Sequence, residues 1–293
     1  MNYVIPQLRV GVLLLYYNRP KMVVDAICSY INTLKIFDNS HLYILDDSSD
    51  VHINDVLDSM KLTSEQQHIT AFRVDKEIKE DFLVNDEKYT QGVYSNLLMN
   101  QMTKEGCQVM MVLCDDDMLF EHSTLMASYT LACNYENTYA FGLSFSVDEE
   151  ELSKEVGADT KFGDLINEEF AHVPLAIPTI FKYEPNRPLW VRPIEVYNDH
   201  NNKKRLETAS KEELNTLQPV IDISQLIFRC DKVVENKILW EDRQNAYLDF
   251  EFVGKLYRQF GMPLYIPTWL QYKRLHEKQL GKLTPEDKIE ERE

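Results

Sequence analysis

The chain has 293 residues with a formal net charge of -17, and 44% of its residues are hydrophobic. This length can bury the core of one large α/β domain or of two average domains, and the hydrophobic fraction excludes a disordered chain. The negative charge opposes general attraction to nucleic acid and to anionic membranes, although a local basic groove stays compatible with it.

The cysteines and the apolar segments indicate the compartment. The five cysteines are scattered without a CxxC pair, which is typical of a chain in a reducing environment. The N-terminal residues lack a basic region, and no uninterrupted apolar run approaches the roughly 18 residues that span a bilayer. We therefore expect a cytoplasmic protein that does not insert into membranes. Its oligomeric state is left open by the sequence.

The first half of the chain alternates strands and helices. Nearly continuous apolar residues over 8–17 predict a buried parallel strand, which the breaker Asn18-Arg19-Pro20 ends. Residues 21–34 then place apolar side chains at helical spacing. The same reasoning predicts strands at 41–45, 69–74, 109–114 and 139–145, and helices at 51–60, 91–103 and 123–133. This alternation predicts an α/β fold with a mostly parallel sheet flanked by helices.

The second half is less regular. Five prolines between 174 and 193 predict ordered loops or edge strands, and the polar residues 200–213 predict an exposed linker or flap. Order returns with a strand over 220–228 and a helix over 246–260 that Gly261 ends. A short strand over 264–267 and a segment over 270–276 precede a charged tail.

Three adjacent aspartates, Asp115, Asp116 and Asp117, follow the predicted strand 109–114. Adjacent carboxylates repel one another, so a folded protein tolerates them best when a divalent cation or several hydrogen-bond donors neutralise them. A simpler interpretation is a solvated acidic turn that caps the helix starting near Glu121. The sequence alone does not choose between these two interpretations.

Two other predicted strands also end in polar residues, at Tyr16-Tyr17-Asn18 and at Asp46-Asp47. Because ligands of parallel α/β sheets bind beyond the carboxyl ends of the strands, we expect these groups and the aspartate triplet to converge on one edge. The first strand is followed neither by a glycine-rich turn nor by a P-loop, which excludes the usual dinucleotide and nucleoside-triphosphatase sites.

These stretches resemble the family 2 glycosyltransferases of the GT-A fold, a Rossmann-like fold. In the first half, the resemblance lies in residues 10–19 (VGVLLLYYNR), residues 43–50 (YILDDSSD), Gly92 with Asn96, and residues 114–117 (CDDD) at the position of the family's DxD motif. In the second half, residues 248–252 (LDFEF) followed by Arg258 and Gly261 resemble the block that supplies the catalytic base. Residues 272–276 (YKRLH) resemble the terminal R-x-H.

The resemblance implies a division of the chain. Residues 1–145 would form the nucleotide-sugar-binding half, residues 146–281 the acceptor-binding and catalytic half of the same GT-A domain, and residues 282–293 a charged tail. Residues 146–220 match no stretch of the family, which varies in this region with the acceptor. We therefore expect a variable acceptor-side region there.

The implied activity is transfer of a sugar from a nucleotide-diphosphate donor, a UDP-sugar, to an acceptor hydroxyl with inversion and with the help of a metal. Asp249 would be the general base. The family's first acid is replaced here by Leu248, and the neighbouring acids Glu241 and Asp242 compete for the role of base.

The implied site has donor and metal ligands. The donor-binding residues would be Tyr16, Tyr17, Asn18, Asp47, Asn96 and Asp115. The metal ligands would be Asp116, Asp117 and His276, and they suit Mn²⁺ or Mg²⁺, with an imidazole favouring Mn²⁺. Two registers of the DxD motif stay open, because its first acid corresponds either to Cys114 or to Asp115.

Two other functions are compatible with the sequence. A sugar-1-phosphate nucleotidyltransferase would need a glycine-rich phosphate loop near the first strand, which residues 18–20 do not provide. A non-catalytic nucleotide- or carbohydrate-binding module would explain the loss of an acid at position 248. The acceptor is also open. A glycan or another hydroxyl-bearing molecule fits, and a nucleic-acid acceptor would need a basic groove such as residues 203–205.

Overall fold

The computed structural model describes residues 7–76, 90–148, 179–182, 217–241, 248–261 and 263–275. The strands are β1 (Val10–Tyr16), β2 (Ser40–Asp46), β3 (Ile69–Arg73), β4 (Val109–Cys114), β5 (Met118–Leu119), β6 (Tyr139–Asp148), β7 (Thr179–Lys182), β8 (Leu217–Val220), β9 (Leu226–Phe228) and β10 (Leu264–Leu275). The α-helices are α1 (Pro20–Leu34), α2 (Ile53–Met60), α3 (Thr90–Lys104), α4 (Ser123–Cys133), α5 (Cys230–Glu235) and α6 (Leu248–Phe260).

Eight of these strands form one mixed sheet in the order β3-β2-β1-β4-β9-β6-β10-β5. The pairs β3–β2, β2–β1, β1–β4 and β6–β10 are parallel, whereas β9 runs antiparallel to both of its neighbours. Strands β7 and β8 form a separate antiparallel pair. The prediction of a mostly parallel sheet flanked by helices is confirmed.

The central strands are buried on both faces because each face packs against helices. Side chains of β1 alternate between two cores, with Val12 and Leu14 on one side and Leu13 on the other. The first core is closed by α1, α2 and α4, and the second by α3, α5 and α6. This packing explains why β1, β2 and β4 read as continuous apolar runs rather than as alternating patterns.

The strand predicted over 220–228 is wrong in its bounds. Strand β8 ends at Val220, a 3-10 turn follows at Ile223–Gln225, and only Leu226–Phe228 enters the sheet. The cause is local: Asp222 Oδ1 accepts a hydrogen bond from Ser224 N at 3.0 Å, and Gln225 Oε1 accepts one from Asp222 N at 3.4 Å. This capping arrangement favours a turn over continued extension.

The two segments predicted at 264–267 and 270–276 form one strand, β10, with register shifts on either side of Trp269. A strand irregularity of this kind accommodates Pro267, which has no amide hydrogen to donate to the ladder. Among the described residues, none of the helices has both the length and the apolar character needed to cross a membrane.

Candidate active site

The ends of three strands meet at one edge of the sheet. β1 is parallel to β2 with Tyr16 opposite Asp46, and parallel to β4 with Leu15 opposite Cys114. Tyr17 N donates a hydrogen bond to Asp115 Oδ2 at 3.1 Å, and Asp47 N donates one to Tyr16 O at 3.0 Å. The three polar groups singled out in the sequence therefore share this edge.

The two aspartates that end β2 lie in different environments. Asp46 is fully buried and accepts hydrogen bonds from Ser49 N at 2.8 Å and Ile53 N at 3.1 Å. It also forms an ion pair with Arg73 Nη1 at 2.8 Å. Asp47 is half-buried, and its Oδ1 accepts a hydrogen bond from the Tyr94 hydroxyl at 2.9 Å. Asp46 therefore organises the loop, and Asp47 lies where a ligand can reach it.

The loops that follow β1 and β2 are tied together by Asn18. Asn18 and Ser48 both have left-handed backbone conformations, with φ of 51° and 59°. Asparagine tolerates this region better than most residues. Asn18 Oδ1 accepts a hydrogen bond from Asp50 N at 2.7 Å, and Asn18 N donates one to Ser49 Oγ at 3.0 Å. Asn18 thus fixes the shape of the edge, and its contact with a donor stays a prediction.

The adjacent tyrosines point to different surroundings. Tyr16 is fully buried in the first core and donates to Val51 O at 2.9 Å. Burial, together with the negative charge of Asp46, raises the pKa of Tyr16 to about 12. Tyr17 is 40% exposed at the edge of the sheet. Of the two predicted donor contacts, Tyr17 has the surface to make one.

The aspartate triplet is buried, with Asp115, Asp116 and Asp117 only 5%, 7% and 2% exposed. The interpretation as a solvated acidic turn is therefore wrong. Arg19 Nη1 lies 2.9 Å from both Asp115 Oδ1 and Asp116 Oδ2. Asp117 Oδ1 accepts a hydrogen bond from Arg274 N in β10 at 3.0 Å. The triplet is thus held by two distant parts of the chain.

Burial is the main influence on the pKa values of Asp115 and Asp117. It raises the pKa of Asp115 to about 6, even though the positive charge of Arg19 opposes the rise. Burial also raises the pKa of Asp117, and the charge of Asp116 adds to this effect. A cation bound at these carboxylates would reverse both shifts, because it stabilises the ionised form.

Cys114, Asp116 and Asp117 each offer a ligand atom, and these atoms lie within 4.8 Å of one another. Burial, with the charges of Asp117 and Asp116, raises the pKa of the Cys114 thiol well above its usual value. A protonated thiol is a poor ligand for a hard cation, whereas two carboxylates suit Mn²⁺ or Mg²⁺. The oxygen donors thus fit the predicted metal. His276, the third predicted ligand, lies outside the described residues.

Asp249 lies in the first turn of α6 and is half-buried. Burial, with the negative charge of Asp222, raises its pKa to about 7, and the positive charge of Lys273 opposes the rise. A carboxylate with a pKa near neutrality is suited to accept a proton from a hydroxyl group. Of the competing acids, Glu241 forms an ion pair with Lys255 of α6 at 2.5 Å, and Asp242 lies outside the described residues.

A half-buried ion pair lies near these groups, and the sequence does not predict it. Lys273 Nζ, in β10, contacts Asp222 Oδ2 directly. Burial alone would raise the pKa of Asp222, but Lys273 and hydrogen bonds from Ser224 lower it to about 2. The negative charge of Asp222, and less strongly that of Asp117, raises the pKa of Lys273. Lys273 therefore stays charged between the triplet and Asp249.

Helix α3 holds the segment before α6. Asn96 Oδ1 accepts a hydrogen bond from Trp240 N, and Asn96 Nδ2 donates one to Trp240 O, both at 2.9 Å. A Cβ added to Gly92 would lie 2.0 Å from Glu241 O, so only glycine permits this close approach. The Trp240 ring stacks on Phe252 of α6 with centroids 3.6 Å apart. Gly92 and Asn96 thus position the helix that carries Asp249, and a donor contact by Asn96 stays a prediction.

No protein-family model matches the sequence. No curated protein matches it either. Solved structures do share its fold. S. aureus TarS in complex with UDP-GlcNAc has a TM-score of 0.53 at 12% identity, covering 93% of this chain and 60% of TarS. The mannosyltransferase PcManGT from Pyrobaculum calidifontis, in complex with GDP-Man and Mn²⁺, has a TM-score of 0.54 at 9% identity, covering 93% of this chain and 58% of PcManGT.

A third similar structure is GalNAc-T7 with UDP, GalNAc and Mn²⁺, which has a TM-score of 0.53 at 11% identity, covering 94% of this chain and 45% of GalNAc-T7. The fold common to these proteins is GT-A, and the fold predicted from the sequence is confirmed. The chain spans between 45% and 60% of the length of these three proteins.

Proposed function

We propose that this chain is a metal-dependent glycosyltransferase, which moves a sugar from a nucleotide-diphosphate donor to an acceptor hydroxyl. The observation that carries the proposal is the buried triplet Asp115–Asp116–Asp117 at the carboxyl edge of a GT-A sheet, with Asp249 linked to it through Lys273. Burying three adjacent carboxylates costs desolvation energy, so such a cluster indicates a functional site.

The donor is proposed to be a UDP-sugar. Asp47 is half-buried beside the exposed Tyr17, and the Tyr94 hydroxyl already occupies one of its carboxylate oxygens. A carboxylate held in this way suits the single N–H of uracil, and Tyr17 can contact the ring or the ribose. Asp115 is the proposed ribose contact, since its backbone follows directly on β4.

Asp116 and Asp117 are the proposed metal ligands, with Mn²⁺ or Mg²⁺ as the metal. A divalent cation held by these residues would supply positive charge that stabilises the departing diphosphate. Asp117 is oriented for this role by the backbone amide of Arg274, which fixes one of its two oxygens. The similar structures of PcManGT and GalNAc-T7 are complexes with Mn²⁺, which supports a divalent metal here.

Asp249 is the proposed general base. Its carboxylate accepts the proton of the acceptor hydroxyl as the hydroxyl oxygen attacks the anomeric carbon from the side opposite the diphosphate, which inverts that centre. Lys273 and Asp222 keep the local charge fixed during this step, because their ion pair stays ionised across the neutral range. The base role is assigned to Asp249 rather than Glu241, whose carboxylate is paired with Lys255.

The same proposal divides the chain into a donor half at 1–145, an acceptor half at 146–281 and a tail at 282–293. It also includes a cytoplasmic location.

The acceptor is proposed to be a glycan or another hydroxyl-bearing molecule. A non-catalytic binding module is the alternative that the experiment must separate, because Leu248 stands where the family carries an acid.

The test combines binding with turnover. Thermal shifts are measured with UDP and GDP and with a panel of their sugars, each with and without Mn²⁺, since ligands that bind the folded state raise Tm. Donor hydrolysis is then followed for wild type, Asp116→Ala, Asp249→Asn and the exposed control Asp38→Asn. We expect Asp116→Ala to lose the metal-dependent shift, and Asp249→Asn to keep the shift but lose turnover.

Binding without turnover in wild type, across every donor and with Mn²⁺ or Mg²⁺ present, would identify a binding module. A larger shift with GDP than with UDP would overturn the proposed uridine donor while leaving the reaction class intact. Unchanged shifts in Asp116→Ala would remove the metal site from the triplet.

A further inference from the structure

Arg19 lies inside the site at which the metal is proposed to bind. It occupies the residue position directly before α1, where its side chain makes no capping hydrogen bond, and its Nη1 lies 2.9 Å from both Asp115 Oδ1 and Asp116 Oδ2. The side chain of Arg19 is 24% exposed, whereas those of the two aspartates are 8% and 9% exposed. Arg19 therefore approaches the acids from the open side of the site.

The guanidinium stays positively charged there. Burial by itself lowers the pKa of Arg19, but the charges of Asp115 and Asp116 raise it above its usual value. One permanent positive charge thus neutralises part of a cluster of three adjacent carboxylates. The guanidinium contacts Asp116 Oδ2, a carboxylate oxygen that a divalent cation bound at Asp116 would need.

The second cation of the site behaves differently. Lys273 forms an ion pair with Asp222, an acid outside the triplet that it keeps ionised, and the two side chains are 28% and 34% exposed. Lys273 therefore has a carboxylate partner of its own, which is not one of the proposed metal ligands. Of the two cations, Arg19 is thus the one whose carboxylate partners a metal would claim.

We propose that Arg19 is the counter-ion of the triplet in the metal-free protein, and that a divalent cation displaces it from Asp116 on binding. This inference rests on the proposed function, because it takes the metal site to be at Asp116 and Asp117. Two cations that share one carboxylate repel each other strongly in a buried site. Metal binding and the Arg19 ion pair therefore compete, and Arg19 sets how tightly the free protein binds metal.

The experiment measures Mn²⁺ binding without any nucleotide. Free Mn²⁺ is followed by electron paramagnetic resonance during titration of wild type, Arg19→Gln, Arg19→Lys, Asp116→Ala and the control Lys21→Gln, which removes an exposed neighbouring charge. We expect Arg19→Gln to bind Mn²⁺ about fivefold or more tightly than wild type, in the usual range of coupling between two binding events. Arg19→Lys and Lys21→Gln should stay near wild type.

Thermal melts give an independent measurement. Without metal, Arg19→Gln should melt below wild type because its carboxylates repel one another unopposed, and saturating Mn²⁺ should raise its Tm by more than it raises that of wild type. Unchanged or weaker Mn²⁺ binding in Arg19→Gln, while Asp116→Ala loses binding, would overturn the Arg19 inference alone. Equal Mn²⁺ binding by wild type and Asp116→Ala would instead overturn the metal site of the proposed function.

Discussion

Two neighbouring aspartates at the end of β2 show how strongly the surroundings decide the role of a residue. Asp46 is buried among three donors from the following loop, the start of α2 and β3, whereas Asp47 is half-buried and accepts a hydrogen bond from Tyr94 of α3. The sequence presents them as an equivalent pair. Their different partners separate a residue that maintains the fold from one that is available to a ligand.

We expect Asp46→Ala to lower the free energy of unfolding by about 3 kcal/mol, because it leaves a partly buried guanidinium and two backbone amides without their acceptor. Urea unfolding followed by circular dichroism measures the change. Asp47→Ala is the matched control: it should cost less than half as much and should weaken nucleotide binding. Equal stability losses in the two variants would contradict the division of roles.

The pKa of Asp249 predicts a pH profile. A base must be deprotonated, so turnover should rise with pH through about 7, the pKa to which burial raises this carboxyl group. Measuring kcat/KM between pH 5 and pH 9 checks the expectation. In Lys273→Gln, loss of the nearby positive charge should move this rise to higher pH. A profile that is flat between pH 5 and pH 9 would argue against Asp249 as the base.

The raised pKa of Asp249 also affects stability, which should fall with pH where turnover rises. An unfolded aspartate has a pKa of about 3.9, so between that value and about 7 the folded state binds more protons at Asp249 than the unfolded state does. The free energy of unfolding therefore falls as pH rises through this window. Asp249→Asn cannot titrate at this position and lacks this dependence. The difference in free energy of unfolding between the variant and wild type should therefore shift in favour of the variant from pH 5 to pH 8.

At the residue scale, the sequence predicts that acids lie at strand ends and that they meet at one edge of the sheet. This follows because the carboxyl ends of parallel strands lie at the same edge. It does not predict Arg19 and Lys273 as their counter-ions. Arg19 contacts Asp115 across 96 positions of the chain, and Lys273 contacts Asp222 across 51. Such pairs depend on side-chain directions in the folded protein, which spacing along one strand does not encode.

At the scale of elements, helix α3 is the support for the second half of the site. Its Gly92 lies against the backbone of Glu241, and its Asn96 pairs with both backbone groups of Trp240. The hydrophobic period predicts this helix to within one residue at each end. The sequence does not indicate that the helix braces a segment more than 140 positions away.

We expect Gly92→Ala to lower the free energy of unfolding by about 2 kcal/mol, since the added Cβ forces the backbone of Glu241 to move. Turnover should fall as well, because that movement shifts α6 and Asp249. Gly11→Ala is the control: its nearest neighbour is the flexible end of Met102, which can rotate away. Urea unfolding and donor hydrolysis on both variants test the expectation, which fails if the two substitutions cost the same.

The turn at Ile223–Gln225 shows where element prediction failed. Residues 220–228 are rich in β-formers, so the apolar run favours a strand throughout. Asp222 and Gln225 cap a turn inside that run, and the turn places the Asp222 carboxylate beside Lys273. A local side-chain preference thus overrides the apolar pattern, and it does so at a residue of the candidate site.

At the scale of the whole molecule, the two halves proposed from the sequence share a single sheet. β9, from the second half, lies between β4 and β6 of the first half, and β10 pairs with β5 and β6. The sequence predicts the parallel strands because their apolar runs are long. It does not predict the insertion of β9, which has only three residues and pairs across more than 80 positions with β6.

We expect a chain cut after residue 145 to fail to fold as an isolated donor-binding half. Without β9 and β10, strands β4 and β6 lose partners, and their apolar edges become available for association. Size-exclusion chromatography should show aggregates, and circular dichroism should show a weaker and less cooperative melt than that of the full chain. A monomeric fragment with a sharp melt would show that residues 1–145 form an independent domain.

The hydrogen bond from Arg274 N to Asp117 spans 157 positions and has a consequence for synthesis in the cell. On the ribosome, the aspartates emerge long before the strand that orients the last of them. A growing polypeptide that has reached residue 220 already carries every acid of the triplet, yet it has neither β9 beside β4 nor β10 against Asp117. Competence to hold a cation should therefore arise only after β10 has been synthesised and has left the ribosome.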